Sequence, residues 1–415
     1  MTARPRGLWG HDDFLRLWAA QAISAFGARI AREGLPMAAV ITLKAGPQAL
    51  GLLAALALAG QAGFGLVAGA LADRLPKKLL LIGADLARAA VLLAVPAAAM
   101  LGRLSLVEIY AAGALMGALS VVFDVADHAF LPSLIGPSEL IEGNAKLATT
   151  ESVSEVGGPA LAGALFQLLS PPIALAANAA TYLASALCLT RVRSPPTAPP
   201  REAAADPPAF DLAAGLRIVL AHPLLRPLWL GDVARGLFGG FFSALYILYA
   251  IGVLKLTPGM LGLTIACGGA GGLIGATLAP ALTRRLGAGR AIILTGLSGG
   301  AMLFLIPLAH GAPLAAMAFL ALAQVLGDAL QTAMQVTAAT LRQSALPPHQ
   351  LGRAGGAFLS AGAAAGVAGA LIGGLAGAAL GPRPALYLAA AGITAASLIA
   401  LASPLRRKSP LANPA

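Results

Sequence analysis

Gly69-Ala70-Leu71-Ala72-Asp73-Arg74-Leu75-Pro76-Lys77-Lys78 is a charged turn set between two apolar runs, each long enough to cross a bilayer. It has a partial echo 211 positions later, where Ala281-Leu282-Thr283-Arg284-Arg285-Leu286-Gly287 keeps the apolar pattern and a double charge. Two further pairs share that offset of 211: Leu17-Trp18 with Leu228-Trp229, and Gly158 and Gly163 with Gly369 and Gly374. Matches at one fixed spacing imply an internal duplication. The chain is therefore expected to fold as two similar halves.

Composition puts both halves in a bilayer. Of 415 residues 58% are hydrophobic and 11% charged, and the mean hydropathy is +0.82, well outside the range of soluble domains. Twelve apolar stretches reach the roughly 20 residues that a helix needs to span hydrocarbon. They lie at 14–40, 49–71, 79–101, 105–127, 145–169, 172–190, 226–252, 258–283, 290–309, 312–336, 354–378 and 384–402. The fold class is thus an all-α membrane protein of twelve transmembrane helices. Fifty glycines suit such helices, because small residues let them approach closely.

The net charge of +11 does not indicate nucleic acid, because the cations form no patch interleaved with aromatics. They sort instead by side of the membrane. With the N-terminus inside, the outer loops hold only Lys44, Arg103, Lys255 and Arg383, while Arg29, Arg32, Arg88 and Arg235 lie within spans. The remaining twenty of the 28 Lys and Arg fall in inner loops and tails, which predicts both termini in the cytoplasm. The first apolar segment carries Arg29, Arg32 and Glu33 and is too long for a signal peptide, so it is expected to remain as the first helix. Cys188 and Cys267 fall in spans of opposite halves and suggest packing rather than a disulfide or a metal site.

The domains follow from the breaks. Residues 1–190 form a six-helix bundle, and 191–209 a cytoplasmic linker with six prolines among Arg191 to Pro208. Within 210–225, Phe210, Leu216, Val219 and Leu220 lie near one face, predicting a short amphipathic helix on the cytoplasmic surface. Residues 226–415 form a second six-helix bundle with a short tail. Two similar membrane halves are the sequence sign of a transporter.

The turn Gly69-x3-Asp73-Arg74-x-Pro76-Lys77-Lys78 resembles the signature loop between the second and third helices of the major facilitator superfamily, with Pro76 where that family prefers glycine. Leu17-Trp18-x2-Gln21, Asp85-Leu86-x-Arg88, Gly158-Pro159-Ala160 and His222-Pro223-Leu224-Leu225 resemble stretches of its bacterial siderophore- and macrolide-type exporter branch. The resemblance covers the whole chain. It implies two halves related by pseudo-two-fold symmetry, a rocker-switch carrier without cofactor, and a central cavity lined by the first, fourth, seventh and tenth helices. Gly158-Pro159-Ala-Leu-Ala162-Gly163 partly matches an exporter element of the same family, with Ala162 replacing a glycine.

Charges give the site expectations. Gly69, Asp73, Arg74, Asp85, Arg88, Asp124 and Asp127 are assigned to a cytoplasmic gate, a breakable network of ion pairs at helix ends. Ionisable groups at bilayer depth are costly and so are functional candidates by default. Arg29 and Glu33, spaced i, i+4, are expected to pair on one face of the first span with Arg32 beside them. Asp328 has no acidic or basic neighbour within four residues, and position 117, its repeat counterpart, is Gly. Gln324, Gln331 and Gln335 continue a polar stripe from it along one helix face. Glu151 and Glu155 sit i, i+4 one turn before Pro159. Glu33, Glu155 and Asp328 are the expected proton-coupling acids; Arg29, Arg32, Gln324 and Gln331 the expected cavity residues. Asp232 and Arg235 are assigned to gating.

An intramembrane enzyme is the rival from another class. Gly296-Leu-Ser298-Gly299 matches a membrane-protease pattern, yet the nearest histidine, His310, lies twelve residues on along the same expected helix. That is roughly 18 Å away, beyond reach of a nucleophile. No His-Glu-x-x-His and no phosphate-cradling Gly-x4-Gly-Lys motif is present, so no catalytic or metal residues are assigned. The expected protein is a proton-driven exporter of a small organic molecule in the inner membrane, a monomer whose other partners are protons and lipid. A lysophospholipid flippase of the same fold is the alternative.

Overall fold

The computed structural model describes residues 7–193 and 212–406, apart from the side chains of Leu66, Asp73 and Leu212. The described residues form fourteen α-helices and no strand: α1 Asp12–Leu43, α2 Pro47–Arg74, α3 Lys77–Met100, α4 Leu106–Leu134, α5 Leu140–Leu168, α6 Pro171–Thr190, α7 Leu212–Ala221, α8 Leu225–Leu248, α9 Pro258–Leu286, α10 Ala288–Met302, α11 Leu305–Leu308, α12 Pro313–Ala345, α13 Pro348–Leu380 and α14 Pro382–Leu401. Proline opens six of these helices, at the position where its missing N–H costs nothing. A π-turn, Tyr249–Val253, extends α8.

Ten helices among the described residues are long and apolar enough to cross a membrane: α2, α3, α4, α6, α8 with its π-turn, α9, α10 running on through α11, α12, α13 and α14. The other two long helices, α1 and α5, have 32 and 29 residues but fall short in hydropathy. Their deficit is the set of charges discussed below. The predicted amphipathic segment is the ten-residue helix α7; its Val219 is buried against Leu225, Leu228, Ala354 and Phe358, so it packs on its own bundle. Phe210 and linker residues 194–209 lie outside the described residues.

The chain divides into two compact units, Met1–Ala45 with Leu56–Ala204, and Gly46–Ala55 with Ala205–Ala415. In the first, α1 packs against α4, α5 and α6, and α3 against α4 and α6. Phe14, Leu17, Leu81, Phe130 and Leu189 fill its core. In the second, α8 packs against α13 and α14, α9 against α12, and α10 against α12 and α14.

Details recur at the offset read from the sequence. Lys44 and Lys255, 211 apart, are the two described non-glycine residues with positive φ, at 53° and 58°. Each ends a helix in the left-handed turn that closes a helical C-terminus. Ala45 N–H then donates to Ala39 O, and Leu256 N–H to Ala250 O, both at 3.0 Å. Trp18 Nε1 donates to Thr150 Oγ1 of α5 at 2.8 Å, and Trp229 Nε1 to the Ala357 carbonyl of α13 at 3.2 Å.

Candidate functional site

Near the middle of α1 and α5 five charged side chains meet. Gly158 on α5 lies directly against Arg29 of α1, and a Cβ there would overlap the arginine's own Cβ. The backbones are thus close enough for Arg29 to fork between Glu151 and Glu155, the latter at 2.5 Å. Arg32 Nε holds Glu33 Oε1 at 2.9 Å, and its Nη2 reaches Glu155 Oε2 at 3.5 Å. This corrects the expected Arg29–Glu33 pair. Pairing within α1 would leave Glu151 without a cation and Glu155 with Arg32 alone, whereas crossing to α5 lets Nη2 of Arg29 meet both. Glu33 is buried, while the Arg32 side chain keeps 49% of its surface exposed.

The residues assigned to a gate fall into separate groups. Asp85 and Arg88 of α3 are buried and pair at 2.7 Å, with Ser24 Oγ of α1 donating to Asp85 Oδ1 at 3.1 Å. The Arg88 guanidinium is stacked between Phe123 of α4 and Tyr182 of α6, 4.3 and 4.7 Å from the ring centres, so cation–π contacts take the place of hydration. Asp127 is half-buried and its Oδ1 has no hydrogen-bond partner, and Asp124 is exposed. Among the described residues no ion pair joins either to Asp85, Arg88 or Arg74. Arg74 is exposed, and a Cβ on Gly69 would meet nothing within 4 Å. The side chain of Asp73 lies outside the described residues.

Lys78 of the signature turn has a definite task. Its Nζ donates to the carbonyls of Thr190 and Val192 at 3.0 and 2.6 Å, capping the C-terminus of α6, where a cation also meets the helix dipole favourably. Asp13 accepts from Arg193 N–H at 3.1 Å and pairs with Arg16 at 2.9 Å, while Arg16 donates to Arg191 O. The Arg193 N–H first, and then the Arg16 guanidinium, hold the Asp13 carboxyl below the usual carboxylate range.

In the second unit Gln324, Asp328 and Gln331 lie half-buried along α12, with Gln335 exposed beyond them. Asp328, at the middle of α12, sets its Oδ2 against Gly268 of α9, with Gln324 Nε2 beside it. Asp232 pairs with Arg235 at 2.6 Å and with Arg342 of α12 at 3.7 Å, and Arg342 lies over Phe358 of α13. The partners found for Asp232 and Arg235 are thus in their own unit. His310 is past the ends of α10 and α11, its Nδ1 on the Leu308 carbonyl at 2.7 Å, and not on the helix of Ser298 as the sequence suggested. Residues that contribute without having been singled out are Ser24, Phe123, Tyr182 and Gly268. None had a signal in the sequence alone: Gly268 stands 211 positions after Ala57, but that Ala57 lies against Gly117, the counterpart of Asp328, is seen only in the structure.

Among known proteins, the chain is 30% identical over 231 residues to an uncharacterized MFS-type transporter, y4rN, of Sinorhizobium fredii (strain NBRC 101917 / NGR234), covering 54% of each. The aligned region thus spans about half the length of that relative. The fold is similar to the nucleoside transporter NupG, with TM-score 0.75, 11% identity and coverage of 94% and 98%. It is similar as well to a bacterial homologue of the iron transporter ferroportin in its inward-facing state, with TM-score 0.74, 18% identity and coverage of 94% and 98%. A bacterial homologue of the lysosomal transporter Spinster gives TM-score 0.72 at 14% identity, covering 98% of both chains. These identities speak for the fold alone. Residues 17–370 match the profile of the Major Facilitator Superfamily, and with most of its length so matched this multi-pass membrane protein belongs to that family.

Proposed function

We propose that the protein is a secondary active carrier of the inner membrane, with cytoplasmic termini, that exports a small organic molecule in exchange for protons by alternating access. In this reading α1 and α5 complete a set of twelve spans, built as two six-helix halves by duplication, and the carrier works as a monomer. The observation that supports it is the imbalance where α1 meets α5: Glu33, Glu151 and Glu155 face Arg29 and Arg32. That leaves one carboxylate in excess, at a helix pair read as crossing the bilayer. A proton relieves it, and so does a cationic group on a substrate. The two therefore exclude each other at the same carboxylates, which is the condition for exchange.

Asp328 serves as a second coupling acid, and Gln324 and Gln331 supply neutral hydrogen bonds to substrate. Gly69, Asp73, Arg74, Asp85, Arg88, Asp124 and Asp127 act at the cytoplasmic gate. A lysophospholipid carrier is the second reading. It is favoured by the half-exposed Arg32, whose guanidinium has donors left for a phosphate. Purified protein in liposomes, with internal pH recorded while siderophore, macrolide, cationic-dye and lysophospholipid panels are offered under a proton gradient, tests both. Substrate-dependent proton flux that is lost in Glu155→Gln supports exchange; substrate movement without proton flux contradicts it.

A further inference from the structure

The close approach of α9 to α12 resembles that of α2 to α4, and one exchange of contents between them falls on Asp328. In the first unit a Cβ on Gly60 would overlap the Ala114 carbonyl; in the second a Cβ on Gly271 would overlap the carbonyl of Val325, and both residues stand 211 positions on. Nearby on the same two helices the contents are swapped. Gly117 of α4 lies against the Ala57 carbonyl of α2, whereas its counterpart is Asp328 and the glycine has moved to position 268, the counterpart of Ala57.

We propose that Gly268 is a positioning residue for Asp328, holding open the space on α9 in which the carboxylate rests and so setting how it takes up a proton. The proposal rests on the reading of Asp328 as a coupling acid. Helix packing does not explain this glycine. Atoms nearest to a Cβ at 268 are Asp328 Oδ2, Gln324 Nε2 at 3.4 Å and Asp328 Cγ at 3.5 Å, all on side chains. At Gly271 and Gly275 they are instead the backbone of Val325 and Ala329. Alanine at 271 or 275 must push two helices apart; alanine at 268 need only turn a carboxylate. Because proton affinity in a low-dielectric site depends on what solvates the carboxylate, turning it changes function with little change in stability.

The test uses the full chain and two measurements: proton flux in liposomes with the panel above, and the pH dependence of dicyclohexylcarbodiimide modification at Asp328, read by peptide mass spectrometry. Gly268→Ala is expected to keep the melting temperature, to shift the labelling midpoint by about one pH unit or more, and to lower proton flux about tenfold. Gly272→Ala, one turn away with Thr332 Oγ1 at 3.5 Å, is expected to change neither. Wild-type labelling and flux in Gly268→Ala, with flux lost in Asp328→Asn, would overturn the positioning role and leave the coupling acid standing. Flux retained in Asp328→Asn removes the coupling acid, and labelling alone then decides whether Gly268 positions the carboxylate. A drop in melting temperature matching that of Gly271→Ala would make Gly268 a packing residue and also overturn the proposal.

Discussion

The meeting of α1 with α5 and that of α8 with α13 stand 211 positions apart in the sequence, yet one is charged and the other bare. Where Arg29 lies on Gly158, the residues 211 positions on are Gly240 and Gly369. A Cβ on Gly240 would strike the backbone of Gly366 and Ala370, and one on Gly369 the Leu237 carbonyl. At these glycines the α8–α13 contact is therefore backbone on backbone, held by dispersion over a tight fit. The α1–α5 contact is held by ion pairs among Arg29, Arg32, Glu33, Glu151 and Glu155, which in the proposed function are traded for a proton or a ligand. One half of the molecule keeps the contact as scaffold, while under the proposed function the other uses it for exchange.

The largest effect is expected from filling the bare contact. Gly369→Ala should lower stability by about 3 kcal/mol, the scale of severe overpacking, seen as a loss of melting temperature in detergent; an unchanged melting temperature would mean that the two contacts do not differ as described. Next comes Arg29→Ala, which takes from Glu151 its arginine and leaves Glu155 with Arg32 alone. Since both are partly exposed, stability should fall by only about 1 kcal/mol while proton-coupled flux is lost, and Glu151→Gln in the same chain should restore the stability without the flux. The smallest effect lies at the α6 end. The folded carboxyl of Asp13 is held below its ordinary range, so its contribution is present above about pH 4 and is lost as pH falls through the folded value. Asp13→Asn should flatten the acid side of the stability curve by less than about 1 kcal/mol, measured by melting temperature against pH.

How far the sequence could be read differs by element. The offset of 211 was visible in Leu17-Trp18, in the signature turn and in Gly158 and Gly163 because those residues are chemically distinctive. The matching left-handed Lys44 and Lys255 were seen only as outer-loop cations, since backbone conformation leaves no trace in a lysine. Asp85 and Arg88 pair at the i, i+3 spacing the sequence displays. Their aromatic neighbours, Phe123 and Tyr182, come from two other helices. In segments apolar all round, periodicity does not say which side faces which neighbour. For the same reason the partners of Arg29 were missed: Glu151 is 122 positions away, and Glu33, which is near in sequence, pairs with the adjacent arginine. Local spacing finds partners on one helix and is silent across two.

The most direct measurement is proton release on binding. Purified protein in weakly buffered detergent at neutral pH would receive ethidium, or the panel compound shown to be transported, while the pH of the solution is followed. If proton and substrate compete for the carboxylates of α1 and α5, binding releases protons in the wild type and releases none in Glu155→Gln that still binds. Binding without proton release in the wild type, or equal release in both, would contradict exchange at this site.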